Sequence, residues 1–430
     1  MNAGRLVIVC GAGLSMAPPS NLPSAARVAE MCFDKYQLTA NANCNPALRD
    51  DLGSLAEHFA ALGLGTLKSV FIESLVPWRD FVRPSNAGHA SIADFLITRA
   101  AVAGLSSNYD TLIEHRAKDY GFDFRSALDG DEANVHARTQ GPFLKFHGCA
   151  DKDRTCTVWA PSQLHADATI ARRITSCTTW MAANLRQKDL LVVGFWSDWG
   201  YLNQIVGSAL QGVDPLSVTV VDLSGADQLQ NKAPELWALS HVDNVEFHHV
   251  QESGAEALDE LRREFSKNYL RQVIDAGKVA FEQETGTACD PAWLAVADFD
   301  SETLYSWRRD AEGVPAIEPA IRRQPGDCQV LGFFHLLIRR AGAQPHAQGY
   351  ELHGRIVRVI NGAERFLEHL QCRFVEAPAA LTADIVVAVG AIVLGRPDNI
   401  VRDGRVGDFI RPKAGGERFD FDGARAELNI

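Results

Sequence analysis

The stretch LVIVCGAGLS, residues 6–15, decides how the chain begins. Its first residues form an apolar run without a polar face, which reads as a strand buried on both sides, the kind found in parallel sheets. Gly11, Ala12 and Gly13 then leave the backbone bare where a ligand's phosphate could approach, although the GxGxxG spacing of dinucleotide-binding turns is absent. Pro18 and Pro19 follow where a phosphate-binding helix would ordinarily start.

Outward from that strand, short apolar runs recur at 102–107 (VAGLSS), 143–147 (FLKFH), 190–195 (LLVVGF), 218–223 (VTVVDL) and 244–250 (NVEFHHV). Between them lie stretches of helical period, among them PSAARVAEMCFDKY, HASIADFLITRAAV, DTLIEHRAKDY, ATIARRITSCTTWMAANLRQ and GAEALDELRREFSKNYLRQVIDAG. Strand and helix in alternation predict an α/β fold, a Rossmann-like doubly wound parallel sheet over residues 1–275, with ligand sites at the carboxyl ends of the strands. The alternation stops near Asp275. GTACDPAW (286–293) and GVPAIEPAIRRQPGD (313–327) are rich in loop formers, and YELHGRIVRVI (350–360), ERFLEHL (364–370) and ADIVVAVGAIVLG (383–395) predict a smaller C-terminal α+β domain over 276–430. The last stretch, PKAGGERFDFDGARAELNI, reads as a surface tail.

A chain of 430 residues accommodates two or three domains, and 46% hydrophobic against 22% charged residues is ordinary globular composition. A formal charge of −12 with 42 scattered Lys and Arg offers no basic footprint, which argues against direct nucleic-acid binding. No apolar run approaches the roughly 18 residues of a membrane span, and the N-terminal run is too short for a signal peptide, so a soluble, cytoplasmic protein is expected. The 9 cysteines include no CxxC pair, and their odd number fits reduced, mostly buried thiols rather than a zinc site or a disulfide framework.

Four segments fall at expected strand ends and so converge on one crevice. They are GAGLS with Gly11, Ala12, Gly13 and Ser15; SSNYDTLIE (106–114) with Asn108 and Asp110; KFHGCAD (145–151) with His147; and VVGFWSDWGYL (192–202) with Gly194 and Ser197. Each also has a plain structural reading. The glycines can shape a tight turn, Asn108 or Asp110 can cap the following helix, and His147 can be a satisfied histidine at a strand edge. His248 and His249 are adjacent on a strand and face opposite sides, which favours structural or solvent roles over a ligand pair. The aromatic residues Phe195, Trp196, Trp199 and Tyr201 suit core packing or stacking on a base. RRDAEGV (308–314) and IRRQPGD (321–327) offer a small basic site, with solvated surface as the default reading.

In order along the chain, GAGLS, SNYD followed by a helix, KFHG, VVGFWS and VVDL resemble the nucleotide-binding domain of the sirtuins, particularly the sirtuin-like (SIR2-like) NAD-hydrolase domains of bacterial anti-phage defence proteins. By matching position, the resemblance implies contacts from Ala12, Gly13 and Ser15, in the turn opened by Gly11, to an NAD+ pyrophosphate. It implies that Asn108 and Asp110 are the asparagine and aspartate of the Asn-x-Asp motif near the nicotinamide ribose and carboxamide, and that His147 is the catalytic histidine. Gly194 and Ser197 would form the adenosine-side turn, with Asp222 near the adenine ribose. Protein-deacylating sirtuins carry a zinc module held by two CxxC pairs after the His-Gly pair. Here only CADKDRTCTVWAPSQL stands there, so no metal and no acyl-lysine channel are expected.

The chemistry that survives is cleavage of NAD+ to nicotinamide and ADP-ribose. Nicotinamide leaves as a neutral molecule from a cationic precursor, so no general acid is needed, and water replaces the acyl oxygen as acceptor. An ordinary histidine pKa near 6.5 would let His147 take a proton from water or a ribose hydroxyl, while Asn108 positions the water and Asp110 the carboxamide. The resemblance implies a gated NADase effector that depletes NAD+ in abortive infection. Its control would come from a homo-oligomer or from a co-encoded ATPase, Argonaute-type protein or nucleotide-processing enzyme. The alternatives are an NAD-dependent deacylase or ADP-ribosyltransferase, and a nucleotide-sensing subunit without turnover.

Overall fold

The computed structural model describes all residues except 1–3, 41–43, 121, 123, 139, 195–212, 313–324, 362–382 and 390–414. The chain forms two compact units, one of Met1–Lys118 and Phe122–Asp259, the other of Asp119–Gly121 and Glu260–Ile430. A boundary after residue 275 falls inside the helix Gly254–Thr285.

The first unit is built on six parallel strands: β1 (Leu6–Cys10), β2 (Ala101–Ser106), β3 (Phe143–Lys145), β4 (Asp189–Val193), β5 (Ser217–Asp222) and β6 (Glu246–Gln251). Their order across the sheet is β3-β2-β1-β4-β5-β6, so the chain winds outward from β1 in one direction and then from β4 in the other. This is the doubly wound, Rossmann-like arrangement expected from the sequence. Every residue of β1 is buried, because helices cover both faces of the central strands. One core gathers Val7, Val9, Leu105, Leu144, Val192 and Val220 with Cys177, Trp180 and Met181 of the helix Ala168–Asn184. At the sheet edge, β6 turns outward: Glu246, His248 and Val250 are exposed, and His248 bonds Glu246 at 2.9 Å.

Residues 25–81 were not legible as a unit in the sequence. They form a helical module with its own core, in which Phe59, Phe71 and Trp78 gather around Trp159. Asp51 caps the helix Leu52–Ala61 through the Ser54 amide, and a π-helical segment, Leu67–Leu75, presents Leu67, Phe71, Ile72 and Leu75 inward. Trp159 and Ala160, from the segment after His147, complete this core rather than forming a separate module.

The second unit carries a five-stranded mixed sheet in the order β11-β10-β9-β8-β7, from β7 (Gln344–His346), β8 (Gly349–Leu352), β9 (Arg355–Asn361), β10 (Ile385–Val389) and β11 (Glu417–Phe419). The run 350–360 is a hairpin, since His353 and Gly354 take φ of 52° and 73°, the left-handed pair that a two-residue turn requires. The segment 417–430 is not a surface tail: β11 joins the sheet, and Ala424 and Leu428 of the helix Phe421–Leu428 are buried in the core. Nor is Arg308 on a solvated surface; it is buried over the rings of Phe265 and Tyr305, with Nε bonded to Ser266. The helix ERFLEHL lies outside the described residues.

Backbones of Gly254–Thr285 and Pro325–Arg340 touch at Gly277 and Gly332. A β-carbon at Gly332 would lie 2.1 Å from the Val273 carbonyl oxygen and 2.9 Å from the Gly277 Cα. Gly332→Ala is therefore expected to lower stability by about 1–3 kcal/mol through overpacking. Gly65→Ala, where the added carbon meets nothing within 4 Å, should be near neutral. Urea unfolding of the two variants checks this, and equal midpoints would refute the close crossing.

Candidate functional site

Strand register brings the four sequence segments to one edge of the first unit. Cys10 pairs with Ser106 and Val193, Ser106 with Lys145, and Val193 with Val221, so the turns after β1, β2, β3 and β4 emerge side by side. Because β1 and β4 lead their crossovers in opposite directions, the strand order reverses between them, and this is where such sheets usually place their ligand sites.

The glycines at this point serve the protein's own backbone. Gly11 N–H donates to the Val193 carbonyl at 3.1 Å, and Gly13 N–H to that of Gly194 at 3.0 Å. A β-carbon on Gly13 would sit 2.9 Å from the Gly194 Cα; one on Gly194, whose φ is 53°, would sit 2.7 Å from the Leu14 nitrogen. The bare backbone thus permits two turns to touch, while Ala12 and Gly13 remain exposed at the rim. The prolines end the short helix Ala12–Met16, which stops at Ala17. Asn86 then holds the departing chain, its Nδ2 donating to the carbonyls of Leu14 at 2.7 Å and Ala17 at 3.3 Å.

Ser15 is the hub. Its hydroxyl, 1% exposed, lies 3.0 Å from Asp110 Oδ2, 3.0 Å from His89 Nε2 and 3.2 Å from Asn108 Nδ2. Asn108 Nδ2 also donates to the Gly11 carbonyl at 3.1 Å. A carbonyl can only accept, so the amide nitrogen must face it, and Oδ1 of Asn108 is left as an acceptor pointing elsewhere. Asp110 accepts the Leu112 amide on Oδ1 at 3.2 Å, so it starts the helix Leu112–Asp119 while bonding Ser15 with its other oxygen. Asp110 thus holds the first amide of the helix and the Ser15 hydroxyl at once.

His89 belongs to none of the sequence segments. It stands third in the helix Ala87–Ile97, completing a capping box with Asn86: its amide donates to Asn86 Oδ1, and its Nδ1 accepts the Asn86 amide, both at 3.1 Å. The signal in the sequence is N-A-G-H, with histidine where Glu or Gln usually closes such a box. Burial lowers the pKa of His89, against the pull of Asp110. With Nδ1 accepting, a neutral ring must carry its proton on Nε2 and donate it to Ser15. Ser15, His89 and Asp110 are therefore no nucleophilic triad, in which the imidazole accepts the serine proton and the carboxylate holds the ring's other nitrogen.

His147 follows β3 in a turn closed by the Gly148 amide on the Lys145 carbonyl, with Gly148 at a φ of 100°. It is 1% exposed, and its ring stacks at 6.2 Å on Tyr109, which stacks in turn at 4.4 Å on Trp159. The Tyr109 hydroxyl bonds the Val158 carbonyl, and the Val158 amide bonds the His147 carbonyl at 2.9 Å. Burial, aided by the Arg173 charge, pushes the His147 pKa down to about 3, well below the ordinary value assumed from sequence. Beneath it, Lys145 is 1% exposed and donates to Glu114 at 3.2 Å, to the Tyr109 carbonyl at 3.4 Å and to the Asp110 carbonyl. Burial works against its charge, but Glu114 and its neighbours more than offset that, and its pKa is raised.

Gly194 lies at the rim beside β5, its amide on the Val221 carbonyl at 3.2 Å. Asp222 ends β5 half-buried, with Oδ1 accepting the Ser224 amide at 2.7 Å. Ser197 and the aromatic residues Phe195, Trp196, Trp199 and Tyr201 lie outside the described residues. Among the described residues, no group of three or more His, Cys, Asp or Glu is placed to hold a metal ion. Of the seven cysteines whose side chains are described, six are buried and Cys156 is partly exposed. No described helix is long and apolar enough to cross a membrane.

No protein-family model matches the chain, and no curated protein matches it in sequence. Among solved structures it is similar to a Sir2 homolog in complex with NAD, at 14% identity over 60% of this chain and 88% of that chain, with a TM-score of 0.34. It is also similar to a mutant Sir2 homologue in complex with ADP-ribose, at 15% identity over 60% of this chain and 91% of that chain, with a TM-score of 0.32. A third is Sir2 with an inhibitor, 2′-O-acetyl-ADP-ribose and a deacetylated peptide, at 12% identity over 61% of this chain and 94% of that chain, with a TM-score of 0.32.

Proposed function

We propose that the first unit binds NAD+ along the carboxyl edge of β1, β2 and β4 and cleaves its bond to nicotinamide, with water as acceptor. The observation that supports this most is the meeting of Asn108, Asp110 and Ser15 at the point where the strand order reverses. Asn108 Oδ1 faces away from the Gly11 carbonyl and can accept a hydrogen from water or from a ribose hydroxyl. Asp110, 8% exposed, keeps acceptor capacity on both oxygens for the carboxamide NH2. His147 is neutral at physiological pH and serves as a hydrogen-bonding wall to the reacting ribose, because so low a pKa makes it a weak resting base. The segment after His147 supports water as acceptor, since Trp159 and Ala160 fill the core of the helical module.

Purified protein incubated with NAD+ should release nicotinamide and free ADP-ribose without a peptide, and Asn108→Ala should lower kcat about 100-fold. Release only in the presence of an acyl-lysine peptide would replace hydrolysis by deacylation. Binding without release would leave a sensor, and absence of both would refute the reading. A role in anti-phage defence, with restraint by self-association or a partner, rests on the sequence resemblance alone. It predicts that expression of the active protein without its restraint depletes cellular NAD+.

A further inference from the structure

The Ser15 hydroxyl has one proton and two lone pairs, and all three are engaged. Asn108 Nδ2 and His89 Nε2 supply hydrogens, and the hydroxyl's own hydrogen goes to Asp110 Oδ2. The direction of this chain is set at His89. Were its Nε2 an acceptor, the hydroxyl proton would have two competing destinations, and Asp110 would lose the partner that fixes one of its oxygens. The Asn86 amide prevents that by occupying Nδ1 at 3.1 Å, which leaves the ring proton on Nε2. His89 is 0% exposed, so water does not substitute for either contact.

We propose that His89 is a positioning residue of this site: by donating Nε2–H to Ser15 it sends the serine proton to Asp110 and holds the Asp110 carboxylate and the Asn108 amide in register. Its effect on turnover rests on the NAD+ reading above, whereas its tautomer and its bond to Ser15 do not. The chain of contacts makes a distinction between substitutions. Glutamine places a carbonyl oxygen and an NH2 about as far apart as the two ring nitrogens, so it can accept from Asn86 and still donate to Ser15. Leucine can do neither.

Nitrogen-15 spectra of histidine-labelled wild type at neutral pH should show the His89 ring neutral, with the proton on Nε2, and Ser15→Ala should shift that nitrogen. A proton on Nδ1, a doubly protonated ring, or no response to Ser15→Ala would overturn the assignment. With NAD+ as substrate, His89→Gln should retain kcat within about threefold, and His89→Leu should lose about tenfold or more in kcat with KM little changed, a loss the size of one hydrogen bond. Equal losses in the two variants, or a loss carried by KM, would also overturn it. Should the wild type release no nicotinamide, the NAD+ reading falls, and the spectra alone still decide where His89 sends its proton.

Discussion

Lys145→Met is expected to destabilise the first unit by about 3–5 kcal/mol, the usual cost of removing one partner from a buried ion pair. The methionine fills much the same volume, so little of the loss comes from a cavity. What it leaves behind is Glu114, whose side chain is only 11% exposed and whose carboxylate is 3.2 Å from the lost ammonium. The carbonyls of Tyr109 and Asp110 lose a donor as well. Thermal unfolding should show a fall in Tm of roughly 10 °C for a domain of this size. The double variant Lys145→Met, Glu114→Leu should recover part of it, because two charges then leave together. A loss under about 1 kcal/mol in the single variant would mean that the ammonium is dispensable. On the NAD+ reading proposed above, a folded Lys145→Met protein should also bind NAD+ poorly, since this ion anchors the turn that carries Asn108 and Asp110.

Stability of the first unit should fall as the medium is acidified below about pH 6.5. In the unfolded chain the His147 imidazole takes a proton near its ordinary pKa of about 6.5, whereas burial holds the folded value at about 3. Between these two values the unfolded state binds more protons, so unfolding becomes easier as pH falls, by at most about 1.4 kcal/mol per pH unit for this one group. From pH 7 to pH 5 His147 alone removes about 2 kcal/mol. His89, whose pKa is also lowered by burial, adds a slope of the same sign. Urea unfolding across this range should show the slope in the wild type and a shallower one in His147→Gln. Parallel slopes in the two proteins would mean that His147 is protonated in the folded state. In the second unit His335, pushed down to about 4 by burial, predicts the same direction.

The central strands were legible because β1, β4 and β5 lie between two layers and need no polar face; a short apolar run bounded by glycine then has few other readings. Their ends were less so. The run HASIADFLITRAAV has a helical period throughout, yet the helix stops at Ile97, Arg99 takes a φ of 56°, and Ala101 already belongs to β2. FLKFH promised a strand to His147 but ends at Lys145, because the buried ammonium and the Gly148 turn bend the chain there. The helical module of residues 25–81 escaped because its core closes around Trp159, some 80 residues further on, as the sequence numbering shows. The segment 417–430 escaped because charged residues are interleaved with the apolar ones, Phe419, Phe421, Ala424, Leu428 and Ile430, that tie it to the core of the second unit. The convergence of Asn108, Asp110 and Ser15 was expected from their places at strand ends, but the hydrogen bonds that join them were not, since these depend on a hydroxyl bridging two loops. His89 was missed because an N-x-x-H sequence is first of all a helix cap, and only the fold sets its second nitrogen against Ser15.

The contact between Gly13 and Gly194 bears on the entropy of binding. Two segments 181 positions apart in the chain (194 minus 13) are riveted backbone to backbone at the rim of the sheet. Neither can swing away to admit a guest without breaking the Gly11 and Gly13 hydrogen bonds. On the NAD+ reading proposed above, the floor under the ligand is thus assembled before the ligand arrives, and the cost of ordering falls on the guest itself. A glycine usually lends a chain freedom; this pair removes it, and what remains is a preorganised shelf.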